Sequence, residues 1–156
     1  MIMENKPQDP KIEFRPIGYV RNGIAESHKF DEWRDLESEI VVNPEYAEGL
    51  DGIEGYSHLV VLFYFHLERP QDPASMKLHP RGRSDLPLVG VFATRTQFRP
   101  NRIGLTTPRL LRREGNVLVV KGLDTLDGTP ILDIKGISPR RDCPADASLP
   151  EWVGRL

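Results

Sequence analysis

The chain of 156 residues has the length of one domain, and 38% of its residues are hydrophobic, which is enough for a single buried core. Its 14 prolines and 13 glycines favour frequent turns over long helices, and no apolar run is long enough to span a bilayer. The formal net charge is −2, and a single cysteine, Cys143, excludes an internal disulfide framework. We expect one cytoplasmic domain that does not enter a membrane.

The first third of the chain predicts two strands and a turn. Residues 1–11 are polar and are expected to form a disordered leader. Ile12–Val20 predicts a strand in which Pro16 marks an edge or a bulge. Ser38–Asn43 predicts a second, short strand, and Pro44–Leu50 a helical turn.

The strongest strand prediction is His58–His66. One face of this strand is wholly apolar and carries Leu59, Val61, Phe63 and Phe65. The opposite face is apolar in its middle and has His58 and His66 at its ends. We therefore expect this strand to be buried on both sides, inside a barrel or against a partner subunit.

The second half of the chain continues the pattern of short strands. Residues 67–86 predict a long loop that closes over a ligand or RNA, and a further strand is expected from Leu88 until the alternation stops at Arg95. Three more strands are predicted at Leu105–Leu111, Val117–Leu123 and Pro130–Gly136.

Short strands with turn signals between them predict an all-β barrel or sandwich. We favour a single-domain antiparallel β-barrel over residues 12–139, with long polar loops and little helix. Residues 140–156 are expected to be a C-terminal tail that packs on the barrel through Leu149, Trp152 and Val153.

Basic charge is concentrated in one segment, residues 86–113, which contains no acidic residue. This basic segment holds six arginines: Arg95, Arg99, Arg102, Arg109, Arg112 and Arg113. One interpretation is a solvated surface cluster. The other is a binding surface for a partner rich in phosphate or carboxylate, which the segregation of charge favours.

Several kinds of site are excluded by pattern. His58 and His66 lie at opposite ends of a strand and no Cys or His pair has ligand spacing, so we predict no metal site. There is no nucleophile elbow, no P-loop and no Gly-rich dinucleotide fingerprint.

What remains is a set of polar residues at strand ends and turns. It consists of His66, Arg95, Asp127 and Asp133, beside backbone donors at Gly104 and Gly128. Each can equally be structural, and Asp127 before Gly128 is most simply a turn residue. The residues alone suggest an anionic ligand or RNA and name no reaction.

Four ordered blocks of sequence carry a resemblance to a family, and that resemblance does indicate a reaction. They are Gly52–Leu59, Leu62–His66, Gly90–Arg95 with Phe98–Leu105, and Leu123–Lys135. The series closely resembles the TsaA-like (YaeB or VirR-like) family of tRNA adenine N6-methyltransferases, O type, over roughly residues 12–139. We expect a minimal member without the extra C-terminal domain of some bacterial members.

The resemblance implies a homodimeric β-barrel enzyme that uses S-adenosylmethionine to methylate N6 of threonylcarbamoyladenosine next to the tRNA anticodon. The implied cofactor contacts are Arg34, His66, Leu67, Arg95, Leu105, Leu126, Asp127, Gly128 and Thr129. Arg34 stands where the family has an Arg-Gln pair and is the least well matched. The predicted tRNA contacts are Arg99, Asn101, Arg102, Arg109, Arg112 and Lys135.

An N6 that carries a carbamoyl group attacks poorly until its proton leaves, so a base or an N6-orienting acceptor is expected. Asp133 is our hypothesis for this catalytic role and His66 is the alternative. The family continues after the lysine with Pro-Tyr, whereas this chain has Gly136-Ile137, which leaves the acceptor more open than the cofactor. The alternatives are a methyltransferase of the same fold on another acceptor, a non-catalytic S-adenosylmethionine-binding regulator, and a plain RNA-binding barrel.

Overall fold

The computed structural model describes residues 10–26, 30–67 and 75–156. Its strands are β1 (Gly18–Arg21), β2 (Glu37–Val42), β3 (Leu59–Tyr64), β4 (Lys77–Leu78), β5 (Val89–Gly90), β6 (Ile103–Thr106), β7 (Arg109–Glu114), β8 (Val117–Lys121) and β9 (Pro130–Gly136). Two four-residue helices are α1 (Phe30–Trp33) and α2 (Pro139–Asp142). Single turns of 3-10 helix lie at Pro44–Leu50, Ile53–Gly55, Pro80–Gly82, Val91–Ala93 and Glu151–Arg155.

Seven strands form one antiparallel sheet in the order β6-β3-β9-β1-β2-β8-β7. The mostly-β, antiparallel class predicted from the sequence is therefore confirmed. A closed barrel is not found, because no continuous ladder joins β7 back to the other end of the sheet. The sheet nevertheless curls, since an isolated bridge pairs His58 with Arg109 and the Leu59 N–H donates to the Pro108 carbonyl at 3.0 Å.

The core lies on one face of this curled sheet because its strands alternate apolar and polar residues. In β2 every second residue is buried, and Ile40 lies opposite Leu118 of β8, both with no exposed surface. The other fully buried members include Leu59, Val61, Leu123 and Ile131. Burial of one face specifies the register, since a slip by one residue would expose this whole set.

Strand β3 lies next to the edge strand β6, and only one of its faces is buried. Leu59, Val61 and Phe63 face the core, while Val60, Leu62 and Tyr64 on the other face are half-buried. The expectation of burial on both sides is therefore wrong for the isolated chain.

Three predicted strands differ from the structure. The first begins only at Gly18, so residues 12–17 do not belong to it. The strand predicted from Leu88 ends at Gly90, because β5 has only the two-residue β4 as a partner. The strand predicted at Leu105–Leu111 is divided at Pro108, which has no N–H for a ladder.

The C-terminal residues pack against the segment before β5. Arg81 Nη1 donates to the Leu156 carbonyl at 3.0 Å, and Arg83 Nη1 donates to the Arg155 carbonyl at 2.6 Å. Trp152 and Leu86 line a cavity of about 540 Å³ there. Trp152 and Val153 are half-buried as expected, but Leu149 is 78% exposed and is no anchor. The predicted leader and part of the predicted 67–86 loop (residues 1–9 and 68–74) lie outside the described residues.

Within the described ranges, no helix has the length and apolar character needed to cross a membrane.

Candidate functional site

The candidate site lies where β3 ends. His66 follows β3 by two residues, and its Nε2 lies 3.9 Å from the position that a Cβ on Gly128 would occupy. Gly128 has a φ of 74° and belongs to a tight turn in which Thr129 Oγ1 donates to the Leu126 carbonyl at 2.7 Å. Two predicted cofactor contacts that are 62 positions apart along the chain, His66 and Gly128, are thus neighbours.

Burial gives His66 a defined charge. Loss of water around the ring lowers the pKa of His66 from its ordinary value of 6.5, so the imidazole is neutral at pH 7. A neutral ring can accept a proton or a hydrogen bond, and it does not repel a cation. This suits either of the roles predicted for His66.

Asp127 holds a second loop against the same turn. Its Oδ1 accepts hydrogen bonds from the backbone N–H groups of Asn22 at 2.7 Å and Gly23 at 2.9 Å. These two bonds lower the pKa of Asp127 below its ordinary value. The Asn22 side chain completes the contact, since its Nδ2 donates to the Thr125 carbonyl at 3.0 Å. The prediction of a turn at Asp127 is confirmed, and its carboxylate also connects two distant parts of the chain.

Arg95 and Leu105 meet at the edge strand β6. Arg95 Nη2 donates to the Leu105 carbonyl at 3.2 Å, and the Leu105 side chain is 42% exposed. Across the sheet, Leu105 pairs with Leu62 of β3. These contacts place Arg95 beside the outer, half-buried face of β3.

Asp124 is a residue that the sequence reasoning missed. Although the residue is exposed at its surface, protein around its carboxyl group removes water and raises the pKa. A hydrogen bond from the Thr106 side chain and the charge of Arg95 oppose this shift. A carboxyl with a raised pKa beside an arginine is typical of functional sites. Nothing in the local sequence, Leu-Asp-Thr-Leu at 123–126, distinguishes it from a surface acid.

Next to Asp124, Thr125 Oγ1 is a buried hydroxyl for which no hydrogen-bond partner is found in the described residues. A buried polar atom without a partner is costly in protein interiors.

Asp133 lies on the same face of the sheet as Leu105. Both pair with Leu62, one from each side, so about 10 Å separates them at the usual spacing between strands. A bulge interrupts the β3–β9 pairing just after Leu62. Asp133 Oδ2 lies 2.7 Å from Lys135 Nζ, which raises the pKa of Lys135. Asp133, the predicted base, therefore shares a face with Leu105 and is paired with a cation.

Two arginines of the basic segment stabilise its loop. Arg99 Nη1 donates to the carbonyls of Thr94 at 3.3 Å and Thr96 at 3.1 Å. Arg102 donates to the Tyr64 hydroxyl and lies with its guanidinium carbon 4.8 Å from the centre of that ring. Hydrogen bonds to carbonyls leave the positive charge of Arg99 in place, so Arg99 retains the charge that a phosphate requires.

The remaining predicted tRNA contacts differ in whether they form ion pairs. Arg112 Nε lies 2.5 Å from Glu114 Oε1, whereas no ion pair is found for Arg109 in the described part of the chain. Asn101 is exposed at the loop before β6. Arg113, which was not among the predicted contacts, pairs with Asp51 at 3.1 Å and Glu54 at 3.4 Å.

Two further predicted cofactor contacts are Leu67 and Arg34. Leu67 follows His66 directly and is 61% exposed. The Arg34 carbonyl lies 3.4 Å from the position that a Cβ on Gly122 would occupy, at the end of β8. Across the described ranges, no group of three or more His, Cys, Asp or Glu side chains is arranged to hold a metal ion.

Comparison with known proteins gives a consistent result. The family described as tRNA-methyltransferase O N-terminal domain matches residues 27–143. A probable S-adenosyl-L-methionine-binding protein of Pyrococcus abyssi is 37% identical, over 84% of this chain and 71% of its own length. A putative S-adenosylmethionine-dependent methyltransferase of Pseudomonas aeruginosa is 38% identical, over 85% of this chain and 59% of its own length.

Solved structures agree with the sequence comparison. The crystal structure of TrmO from Pseudomonas aeruginosa has a TM-score of 0.70 and 33% identity, covering 89% of this chain. A second TrmO crystal structure has a TM-score of 0.71 and 35% identity, again over 89% of this chain. This chain spans 62% and 63% of the length of those two solved chains.

Proposed function

Because the chain belongs to the tRNA-methyltransferase O N-terminal domain family, we propose that it is an S-adenosylmethionine-dependent tRNA methyltransferase whose acceptor is N6 of threonylcarbamoyladenosine beside the anticodon. Relatives at 37 to 39% identity are named for binding S-adenosyl-L-methionine, and that is the cofactor. The observations that support the proposal are the closeness of His66 to Gly128 of the turn 126–129 and the contact of Arg95 with Leu105 beside β3, in a chain of this family.

The residues at this end of β3 fit such a cofactor. S-Adenosylmethionine carries a carboxylate, an ammonium group, a cationic sulfur and an adenosine. Arg95 offers a cation for the carboxylate, and a neutral His66 does not repel the sulfonium. Exposed Leu67 and Leu105 offer apolar surface. When bound, the cofactor supplies a methyl group activated by positive sulfur.

The chain's own part in the reaction is to orient the acceptor and remove its proton. Asp133 is proposed as the group that holds the N6 proton, with His66 as the alternative. Asp133 shares the face of Leu105, and Lys135 keeps its carboxylate beside a cation. Holding reactants in line supplies much of the acceleration in a transfer of this kind.

Asp133→Asn should reduce single-turnover methyl transfer about 100-fold or more, with the dissociation constant for S-adenosylmethionine unchanged in calorimetry. His66→Asn is the rival variant, and Asp146→Asn is a matched control, because Asp146 is exposed and lines neither cavity. Near-normal turnover of Asp133→Asn would exclude Asp133 and leave His66.

The acceptor is tested separately. Transfer of a tritiated methyl group is measured on tRNA that carries threonylcarbamoyladenosine and on the same tRNA without that group. Transfer only to the modified tRNA supports the proposal. Equal transfer to both favours another acceptor, and calorimetric cofactor binding without transfer to any tRNA favours a non-catalytic regulator. Binding of tRNA with no heat from S-adenosylmethionine would indicate a plain RNA-binding protein.

We further propose that the chain acts in the cytoplasm as a homodimer held together by exposed apolar surface. The support is that Leu105 and Phe92, both large and apolar, are 42% and 73% exposed. Light scattering should give the mass of two chains for wild type and one for Leu105→Glu. A monomeric wild type contradicts the dimer.

A further inference from the structure

A second cavity opens beside the far end of β9, away from His66. It measures about 480 Å³ and lies between Tyr56, the end of β9 and the start of α2. Its volume falls within the range of small-ligand pockets. None of the predicted cofactor contacts lines it, and of the predicted tRNA contacts only Lys135 does so.

The floor of this cavity is an aromatic ring lying on a glycine. A Cβ on Gly136 would come within 2.5 Å of three atoms of the Tyr56 ring, so the ring packs flat against the bare backbone of β9. The Tyr56 residue remains 46% exposed. A ring supported on one face and open on the other is a platform on which a planar group can stack.

The wall of the cavity carries positive charge. Arg141 lines it, and no ion pair is found for Arg141 or its neighbour Arg140 in the described part of the chain. The two acids nearby are engaged: Asp142 Oδ2 accepts from the Ser138 N–H at 2.7 Å, and Asp133 pairs with Lys135. Arg141 is therefore the cation of this wall for which no ion pair is found in the described residues, while Asp142, which also lines the cavity, keeps its negative charge.

The cavity lies at a suitable distance from the candidate site. Lys135 pairs with Val60, two residues along β3 from Leu62, which pairs with Leu105. Two residues of strand span about 7 Å, which is close to the spacing of successive nucleotides in an extended strand. One RNA strand can therefore reach both Asp133, the proposed base opposite Leu62, and this cavity.

We propose that the cavity is a subsite for an unpaired nucleotide of the RNA substrate, with the base stacked on Tyr56 and a phosphate contacted by Arg141. An aromatic ring beside an arginine is how single-stranded RNA is held without base pairing. The subsite rests on the proposed function, since it places a nucleotide next to the one that is methylated.

The test measures the affinity of the full chain for a fluorescently labelled tRNA transcript. Tyr56→Ala should raise the dissociation constant about tenfold, and Tyr56→Phe should leave it near the wild-type value. Gly136→Ala should weaken binding as Tyr56→Ala does, because the new methyl group pushes the ring off the strand. The double variant should be no weaker than Tyr56→Ala alone, since both changes remove one interaction.

Arg141→Ala should reduce the slope of log affinity against log salt by about 0.7 to 0.9. Tyr46→Ala and Arg15→Ala are controls, because both residues are exposed and neither lines the cavity. Unchanged affinity in Tyr56→Ala and Gly136→Ala, or a wild-type chain that binds no tRNA, overturns the subsite.

A crosslinking experiment needs no variant. Wild-type chain irradiated with tRNA that carries 4-thiouridine in its anticodon loop should crosslink at Tyr56 or within residues 138–141, and crosslinks found only elsewhere overturn the proposal. A different result would contradict the proposed function, namely that wild type shows no calorimetric binding of S-adenosylmethionine. The RNA measurements above do not depend on that binding.

Discussion

Polar side chains at the candidate site hold the backbone in place as well as offering groups to a ligand. Asp127 accepts from two N–H groups of the loop after β1, Arg99 donates to two carbonyls of its own loop, and Thr129 closes its turn. Loops have no ladder to satisfy their backbone groups, so these side chains do so. The site is thereby preorganised before a ligand arrives.

Asp127→Ala should lower the free energy of unfolding by about 1 kcal/mol, because two charge-assisted hydrogen bonds at an exposed position are lost. It should also weaken S-adenosylmethionine binding, because the 22–24 loop is released from the turn. Thermal unfolding and calorimetry measure the two effects.

The effect of Asp127 depends on pH in a defined direction. Since the folded chain lowers the pKa of Asp127 below 3.8, its stabilisation is complete above that pH and is lost as pH falls through the folded value. The stability difference between wild type and Asp127→Ala should therefore shrink below about pH 4. A difference that stays constant to pH 2 would contradict this role.

His66 should make both stability and cofactor binding sensitive to mild acid. Its pKa is lowered by burial, so between the folded value and 6.5 the unfolded chain binds the proton more readily. Stability is therefore lost as pH falls from 6.5 through the folded pKa, and a protonated ring should repel a sulfonium.

The pH dependence of urea unfolding and of S-adenosylmethionine affinity should flatten in His66→Gln between pH 5 and 7. His58→Gln, at the opposite end of β3, should leave it as in wild type. Parallel curves for wild type and His66→Gln would show that another group titrates.

At the scale of elements, β3 organises the molecule because its two faces have different tasks. Leu59, Val61 and Phe63 fill the core, while Leu62 lies between Leu105 and Asp133 on the outer face. Strand geometry separates the two sets strictly, since alternate side chains point to opposite faces. The strand can therefore stabilise the fold and support the site at once.

The pairing of β3 with β6 depends on a glycine. A Cβ on Gly104 would overlap the ring of Phe63, which is 3% exposed and has no free space to enter. Gly104→Ala should cost about 1 to 3 kcal/mol of unfolding free energy by overpacking. Gly49→Ala, where nothing lies within 4 Å, should change stability little in the same urea titration. Equal stability of Gly104→Ala and wild type would show that β6 can move away.

At the scale of the whole molecule, the net charge is −2. The arginines of the basic segment differ in whether they form ion pairs. Arg113 lies against Asp51 and Glu54 and Arg112 against Glu114, so their charges are largely neutralised. Arg109 has no such partner in the described ranges and Arg99 binds only carbonyls there. The positive field of the basic segment therefore comes from only part of its arginines.

Salt dependence should separate these arginines. Arg109→Ala should reduce the slope of log tRNA affinity against log salt by about 0.9, as expected for one lost phosphate contact. Arg113→Ala is the matched control and should leave the slope near wild type, and Arg112→Ala should fall between them. Filter binding from 50 to 200 mM salt measures all three, and equal slopes in wild type and Arg109→Ala would remove Arg109 from the interface.

The local sequence pattern determined several strands and turns of this protein. Strand β9 has the predicted bounds, Pro130–Gly136, and β2 differs from its prediction by one residue at each end. The turn at Asp127–Gly128 is also as predicted. These features depend on alternation and on glycine at positive φ, both of which are properties of neighbouring residues.

Only the tertiary structure decided the rest. The strand predicted after Leu88 stops at Gly90 because its partner β4 has two residues, and no local pattern specifies a partner. Asp124 looks like an ordinary surface acid until folding surrounds its carboxyl group, and Asp127 binds N–H groups more than 100 positions away. Alternation and turn chemistry act between neighbours and can be read from the sequence, whereas pairing, desolvation and long-range hydrogen bonds exist only once distant segments are packed together.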